Sequence, residues 1–316
     1  MSIHIPAISV TNLTKTFNNG RRTFTALQEI SFDLNQGEIL GLLGPNGAGK
    51  TTTIQLLLST LTPTSGAIQF FGKNFFTNRS EILQQLGFAS TYVNLPAHLT
   101  VQENLKIQGL LYGMNGTALS EALELSLTAF KLEGLRNKEV GQLSAGQKTR
   151  VMLAKAFITK PKVVLLDEPT ASLDPDVAEQ IRSFILDLRA QHNISVLFTS
   201  HNMDEITTMC DRVIVLKHGS IIANAKPETL AASISTTRLQ LVVGNGLEKT
   251  IALAQTNNLV YTLKDRWIEI ALDERAIAHF LTQLALNDIT YTHIAIEKPT
   301  LEDYFIHIAK HNQTGK

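Results

Sequence analysis

Residues 44–51 limit the fold more tightly than any other part of the chain. Gly44-Pro45-Asn46-Gly47-Ala48-Gly49-Lys50-Thr51 fits the pattern GxxxxGK[ST]. Such a loop aims several backbone amides at one anion, so side chains must be absent where the backbone turns tightly. It follows the short apolar run Glu38-Ile39-Leu40-Gly41-Leu42-Leu43 and precedes a segment with helical character at 49–60. A helix entered this way points its N-terminus at the anion. Strand, glycine-rich loop and helix in that order predict a phosphate-binding α/β unit, with contacts running from Gly44 through Thr51 and Thr52. Lys50 would reach the β- and γ-phosphates, and the Thr51 hydroxyl would bind Mg²⁺.

A second set of residues belongs with this loop. Val163-Val164-Leu165-Leu166 is an unbroken apolar run that ends in Asp167-Glu168. Runs of this kind are strands covered on both faces. Asp167 is placed to hold Mg²⁺ through water, and Glu168 to orient or deprotonate an attacking water. The plain alternative is two acids capping a strand end. The next apolar run, Ser195-Val196-Leu197-Phe198-Thr199, leads into Ser200-His201-Asn202. α/β sheets bind ligands just past the carboxyl ends of their strands, which favours a γ-phosphate contact for His201. The other eight histidines read as exposed or structural. Between the two runs, Asp174-Pro175 opens a helix as N-cap and first helical residue. This strand–helix–strand alternation indicates an α/β fold with a largely parallel sheet.

Composition bounds the remaining possibilities. The chain has 316 residues, with 28 Lys+Arg and 28 Asp+Glu, so its formal net charge is zero. That balance argues against a dedicated nucleic-acid binder and against a polybasic membrane anchor. Cys210 is the only cysteine, which excludes an intrachain disulfide and suits a reducing compartment. The first residues show no basic patch followed by an apolar run, so no signal peptide is expected. The longest uncharged stretch, 51–72, is rich in Thr, Ser, Pro and Gly and does not read as a membrane span.

The pattern changes after about residue 235. Strands at 239–243, 260–263, 267–271 and 290–296 alternate with helices at 247–257 and 274–287. The order βαββαβ fits a small ferredoxin-like unit. A last helix follows Pro299-Thr300, with Leu301, Tyr304, Phe305 and Ile308 on one face. From residue 235 on there are 8 basic and 9 acidic residues, so this part is not a basic module either.

One more segment ties the motifs together. Gln142-Leu143-Ser144-Ala145-Gly146-Gln147 lies upstream of the acidic strand, with a helix of about 147–159 between them. With the phosphate loop, Asp167-Glu168 and His201, it resembles the ATP-binding cassette (ABC) ATPase family over roughly residues 5–235. The resemblance implies an α/β P-loop ATPase domain at 1–235 with a helical subdomain at about 78–160, followed by a small α+β domain at 236–316. It implies an ATP hydrolase using ATP and Mg²⁺, with Lys50, Glu168 and His201 as catalytic residues and Thr51 and Asp167 on the metal. Ser144, Gly146 and Gln147 look like the signature motif, which in this family contacts the γ-phosphate of ATP held by the opposite subunit. Ala171-Ser172-Leu173-Asp174 looks like the D-loop, and Phe17 stands where the family stacks an aromatic ring on adenine. An ordinary core phenylalanine is the alternative for Phe17.

Two departures stand out. Ala145 replaces the usual second glycine of the signature. Thr91, in Leu86-Gly87-Phe88-Ala89-Ser90-Thr91-Tyr92, stands where the family usually has a glutamine that completes the Mg²⁺ shell and links hydrolysis to the membrane subunit. Gln84, Gln85 and Gln102 sit on neighbouring elements. The segment Glu297–Phe305 is similar to the tail of drug-, antibiotic- and sodium-efflux ATPases. The expected function is therefore the ATPase subunit of an exporter. It would dimerise with itself or a homologue, act on a separate multi-span permease, bind no nucleic acid, and sit in the cytoplasm against the inner face of the cell membrane. The alternatives are a soluble ABC ATPase acting on ribosomes or DNA, and a regulatory nucleotide-binding partner.

Overall fold

The computed structural model describes residues 5–18, 20, 22–91, 94–171, 173–234 and 236–311. They fall into two compact units, Met1–Lys226 and Pro227–Lys316.

The first unit begins with two long strands, β1 (Ile8–Asn18) and β2 (Thr23–Leu34), and a fully buried strand β3 (Ile39–Leu43) that leads through the phosphate loop into α1 (Lys50–Leu57). Then come β4 (Ser65–Phe70), β5 (Lys73–Asn74), α2 (Arg79–Leu83) and β6 (Leu86–Ser90). Three helices follow, α3 (Val101–Leu111), α4 (Gly116–Ala129) and α5 (Ala145–Phe157). The chain returns to the sheet with β7 (Val163–Asp167), α6 (Pro175–His192), β8 (Ser195–Thr199), α7 (Met203–Met209), β9 (Arg212–Lys217) and β10 (Ser220–Ala225).

These strands make two sheets, β2-β1-β4-β5 and β10-β9-β3-β8-β7-β6. The first is antiparallel throughout. In the second, only the β9–β10 pair is antiparallel. The sequence patterns explain the difference. On β2, Ile30, Phe32 and Leu34 are buried while Ser31 and Asp33 face solvent, the alternation of a sheet wetted on one side. β3, β7 and β8 are buried at every position, as their continuous apolar runs require. One core joins the sheets: Leu13, Leu27, Phe32 and Phe70 pack with Leu42, Leu165, Leu197 and Ile214.

Thr100 caps α3 as its sequence predicts. Its hydroxyl accepts from the Glu103 amide at 3.2 Å, and the Glu103 carboxylate accepts from the Thr100 amide at 2.8 Å. Asp174 stands at the N-cap of α6 with Pro175 inside, but its side chain makes no capping bond. Residues 86–90, inside the bounds of about 78–160 expected for the helical subdomain, form β6 on the edge of the parallel sheet, paired with β7 from Leu86↔Val163 to Ser90↔Asp167. The segment is five residues long and contains a glycine, too little for periodicity to declare a strand. That glycine is forced: a Cβ on Gly87 would lie 2.3 Å from the Ala156 carbonyl oxygen of α5.

The second unit opens with α8 (Pro227–Ala232) and continues as β11 (Thr236–Asn245), α9 (Leu247–Thr256), β12 (Val260–Lys264), β13 (Trp267–Asp273), α10 (Ile277–Leu286), β14 (Thr290–Glu297) and α11 (Leu301–His311). Its sheet runs β12-β13-β11-β14 with antiparallel pairs throughout. With the βαββαβ order, this is the arrangement of a ferredoxin-like unit. Leu239, Leu241, Ile268 and Ile270 of the sheet share a core with Ala254 of α9 and Phe280 and Leu284 of α10. Thr300 and Asp303 cap α11 reciprocally, and Asp303 also pairs with Arg238 of β11.

Leu165 lies at the centre of the shared core of the first unit with 0% exposure. Leu165→Ala is expected to destabilise that unit by about 2–5 kcal/mol, seen as a lower urea midpoint in far-ultraviolet circular dichroism.

Candidate functional site

The loops after β3, β6, β7, β8 and β9 leave the parallel sheet on the same side, because parallel neighbours share the direction of their carboxyl ends. The phosphate loop, Thr91, Asp167, Glu168 and His201 follow or end these strands, where open α/β sheets take their ligands, whereas Ser144, Gly146 and Gln147 open helix α5.

After β3, the backbone bends through left-handed conformations at Gly44 (φ 154), Gly47 (φ 78) and Gly49 (φ 113). A Cβ at Gly44 would meet the Leu216 carbonyl oxygen at 2.3 Å, and one at Gly49 would meet Leu27 Cδ2 at 2.5 Å. Gly49 is also the N-cap of α1, where no side chain caps the helix. The first-turn amides of α1 are therefore left for an anion. Lys50 is 8% exposed. Its ammonium donates to the carbonyl oxygens of Gly44 at 2.6 Å and Pro45 at 3.3 Å. Burial pushes its pKa down, and the nearby carboxylates of Glu168 and Asp167 act the other way. Thr51 is exposed on the first turn of the helix, followed by half-buried Thr52.

After β7, Asp167 and Glu168 are each 8% exposed. Asp167 Oδ1 accepts from the Thr199 hydroxyl at 2.7 Å. Glu168 has φ 50, a left-handed backbone rare for a non-glycine residue and costing on the order of 1–3 kcal/mol. Its amide donates to both the carbonyl and the hydroxyl oxygen of Thr199 at 3.1 Å, which holds the bend. The bend delivers the carboxylate to His201, whose Nε2 lies 2.6 Å from Glu168 Oε1. The structure thus joins residues 33 positions apart into one acid–imidazole pair.

Thr91 follows β6, one residue beyond Ser90, which is in register with Asp167. It is half-buried and lines a cavity of about 470 Å³ shared with Leu95, Val140, Lys148, Met152 and Leu173. None of the neighbouring glutamines takes up the missing role through its resolved contacts. Gln102 on α3 accepts from Arg136 at 3.1 Å, and Gln85 donates to the Glu81 carbonyl at 3.3 Å.

Ser144 is the N-cap of α5. Its hydroxyl accepts from the Gln147 amide at 3.3 Å, and the Gln147 side chain accepts from the Ser144 amide at 3.1 Å. Gly146 packs against α6 so closely that a Cβ would meet Val177 Cγ1 at 2.6 Å. Phe17 is 40% exposed, so it is not a core residue. It pairs across the strands with Phe24, 61% exposed, and Lys15 Nζ lies 5.0 Å from the centre of its ring. This ribbon runs into the phosphate loop, since Ala26 and Leu27 of β2 are the residues pressed against Gly49. Of the Ala171–Asp174 segment, Ala171 and Leu173 bond back to Glu168 and Thr170, while Ser172, like Tyr92, lies outside the described residues.

Sequence reasoning passed over Thr199 and Phe24. Thr199 carried a signal, since it ends the strand that precedes His201. Phe24 carried one only once the β1–β2 register was known.

The donor set suits a magnesium nucleotide. Thr51 and Asp167 supply hard oxygen ligands, and Mg²⁺ on a nucleotide needs only one or two from the protein. No cluster of three or more His, Cys, Asp or Glu side chains suited to a metal occurs among the described residues.

Comparison with known proteins agrees with this geometry. The ABC transporter family matches residues 27–171. The bacitracin transport ATP-binding protein BcrA of Bacillus licheniformis is 37% identical over 216 residues, 68% of this chain and 68% of that protein. The chain belongs to the ABC transporter ATP-binding family. The Nod factor export ATP-binding protein I of Burkholderia lata is 38% identical over 204 residues, 65% of this chain and 67% of that protein. Among solved structures, a dimeric ATP-binding cassette in a post-hydrolysis state with ADP and Pi superposes with a TM-score of 0.64 at 26% identity, covering 69% of this chain and 98% of that one. This ABC protein is an ATP hydrolase, the ATP-binding subunit of a transporter.

Gly49→Ala puts a Cβ into Leu27 at a φ that alanine avoids. It is expected to weaken ATP binding at least about tenfold, measured by titration with a fluorescent ATP analogue.

Proposed function

We propose that the chain powers an exporter: two nucleotide-binding subunits, alike or homologous, close head to tail on ATP and drive a separate multi-span permease from the inner face of the membrane. The observation that carries this reading is the Glu168–His201 pair, 2.6 Å apart beside the phosphate loop. The similarity to BcrA and to a Nod factor export protein supports the exporter assignment, as does the Glu297–Phe305 tail. Among the described residues no helix is long and apolar enough to cross a membrane. Ile107, Leu110 and Leu111 on α3 are 42%, 49% and 76% exposed, an apolar stripe suited to a protein partner.

The amides of the phosphate loop and Lys50 hold the β- and γ-phosphates, and the exposed ring of Phe17 receives the adenine. Thr51 and Asp167 hold Mg²⁺, which would neutralise charge on the β- and γ-oxygens. Glu168 takes a proton from the attacking water, and His201 holds the carboxylate in place and faces the γ-phosphate. Water adds to the γ-phosphorus, the bond to the bridging oxygen breaks, and ADP and phosphate leave. Ser144, Gly146 and Gln147 open α5, and the helix N-terminus they form would meet the γ-phosphate held by the opposite subunit. The C-terminal unit is an accessory domain in this reading.

Glu168→Gln is expected to retain ATP binding, lower hydrolysis by about 10²–10⁴-fold and accumulate an ATP-bound dimer on size-exclusion chromatography; undiminished turnover removes Glu168 from its role. Thr91→Gln lengthens a side chain on the wall of the cavity that Ala145 and Ala171 also line and is expected to raise or retune hydrolysis. Identical turnover and Mg²⁺ dependence in that variant would take Thr91 out of the site.

A further inference from the structure

Glu205, on the first turn of α7, is 4% exposed and lies in neither sheet nor loop. Its carboxylate gathers three donors. Oε2 accepts from the Thr170 hydroxyl at 2.7 Å and from the Ser200 hydroxyl at 2.6 Å, and Oε1 accepts from Arg182 Nη1 of α6 at 2.9 Å. A buried carboxylate stays ionised only when it is paired and hydrogen-bonded, and Arg182 supplies the charge.

The positions of the two hydroxyls matter most. Thr170 is two residues past Glu168 on the loop leaving β7, and the intervening turn is closed by the Ala171 amide on the Glu168 carbonyl at 3.2 Å. Ser200 immediately precedes His201 on the loop leaving β8. The Ser200 oxygen also accepts from the Asn202 amide at 3.0 Å, so His201 is bracketed on both sides. Asn202 in turn caps α7 through the amides of Asp204 at 2.9 Å and Glu205 at 3.4 Å. One carboxylate therefore grips both chain segments that carry the Glu168–His201 pair, from outside the pair itself.

We propose that Glu205 is a positioning residue for ATP hydrolysis, fixing the separation of Glu168 and His201 through Thr170 and Ser200 while Arg182 holds it in place. The proposal rests on the reading of Glu168 and His201 as the catalytic pair. A displacement of about 1 Å in such a pair costs as much as 10²-fold in rate. Binding of ATP depends on the phosphate loop, which this network does not touch.

The test is steady-state hydrolysis with the intact chain, alongside equilibrium ATP binding. Glu205→Ala is expected to lower kcat by about tenfold or more with KM and ATP affinity within about twofold. Ser200→Ala and Thr170→Val each break one link, leave the Arg182 pair standing, and are expected to lower kcat in the same way but less; they decide the matter if Glu205→Ala does not fold. Ser200→Ala added to His201→Ala is expected to cost nothing further, because the link acts through His201. ATP affinity falling in step with kcat, or a Ser200→Ala loss that persists without His201, reduces Glu205 to a structural residue and overturns the proposal. A slow His201→Ala beside fully active Glu205, Ser200 and Thr170 variants overturns it alone. A His201→Ala chain of undiminished kcat overturns the catalytic reading and the proposal together.

Discussion

A polyphosphate has to be met by several donors converging on a few oxygens, and backbone amides can converge only where the chain bends without a Cβ. That requirement fixes Gly44, Gly47 and Gly49, and through them the rest of the first unit. The loop must leave a strand that cannot shift, so β3 is buried at every position between β9 and β8. The strand in turn needs parallel neighbours, because only these send their carboxyl ends to the same side. β7 and β8 then bring Asp167, Glu168 and His201 to the same edge as the phosphate loop as a consequence of sheet direction. The left-handed backbone at Glu168 is a local cost of this arrangement, held by two hydrogen bonds from its amide to Thr199.

The features legible in the sequence were those written in adjacent residues. The phosphate loop, the unbroken runs of β7 and β8 and the Thr100 capping box each depend on neighbours within about one turn of chain. The βαββαβ order of the second unit was legible for the same reason, since alternation on β11 and β13 and the helical stripes of α9 and α10 are local patterns. β6 was not, because five residues with a glycine among them carry no period. Nor was the exposure of Phe17, which depends on the pairing of β1 with β2 and so on a register that local pattern does not specify. The network around Glu205 lay furthest from view. Its partners are 5, 23 and 35 residues away, and nothing in the segment Asn202–Glu205 distinguishes a buried carboxylate from an exposed one on a first helical turn.

Thr91 shows how a sheet can fix a residue's position while leaving its side-chain reach free. Its position at the end of β6, beside the residue in register with Asp167, is set by the sheet and is the same for any side chain. Side-chain reach is what differs. A threonine hydroxyl stops about two bonds short of where a glutamine amide would end, and the space ahead of it is the cavity floored by Met152 and Leu173. That cavity is bounded by α5 on one side and by the segment after β7 on the other. It therefore lies between the helix capped by Ser144 and the loop that leaves β7. Arg150 of α5 donates to Gln180 of α6 at 2.8 Å, a direct bond between the two helices.

The same division between rigid and adjustable parts accounts for the neutral charge of the molecule. An ATPase that gripped lipid or nucleic acid directly would need a basic excess, and the 28 cations are matched by 28 anions. What the surface offers instead is the exposed apolar stripe of Ile107, Leu110 and Leu111 on α3 and the capped N-terminus of α5. Several charges are paired within the fold: Arg212 with buried Glu38 beside β3, Arg182 with buried Glu205 behind the Glu168–His201 pair, and Arg189 with exposed Asp211 at the start of β9. The first and third tie the amino-terminal edge of the parallel sheet, opposite the phosphate loop, and Arg182–Glu205 stands beside the loops carrying Glu168 and His201. Charge paired in this way holds strand and helix ends together, and a net charge of zero supplies no overall attraction to a polyanion.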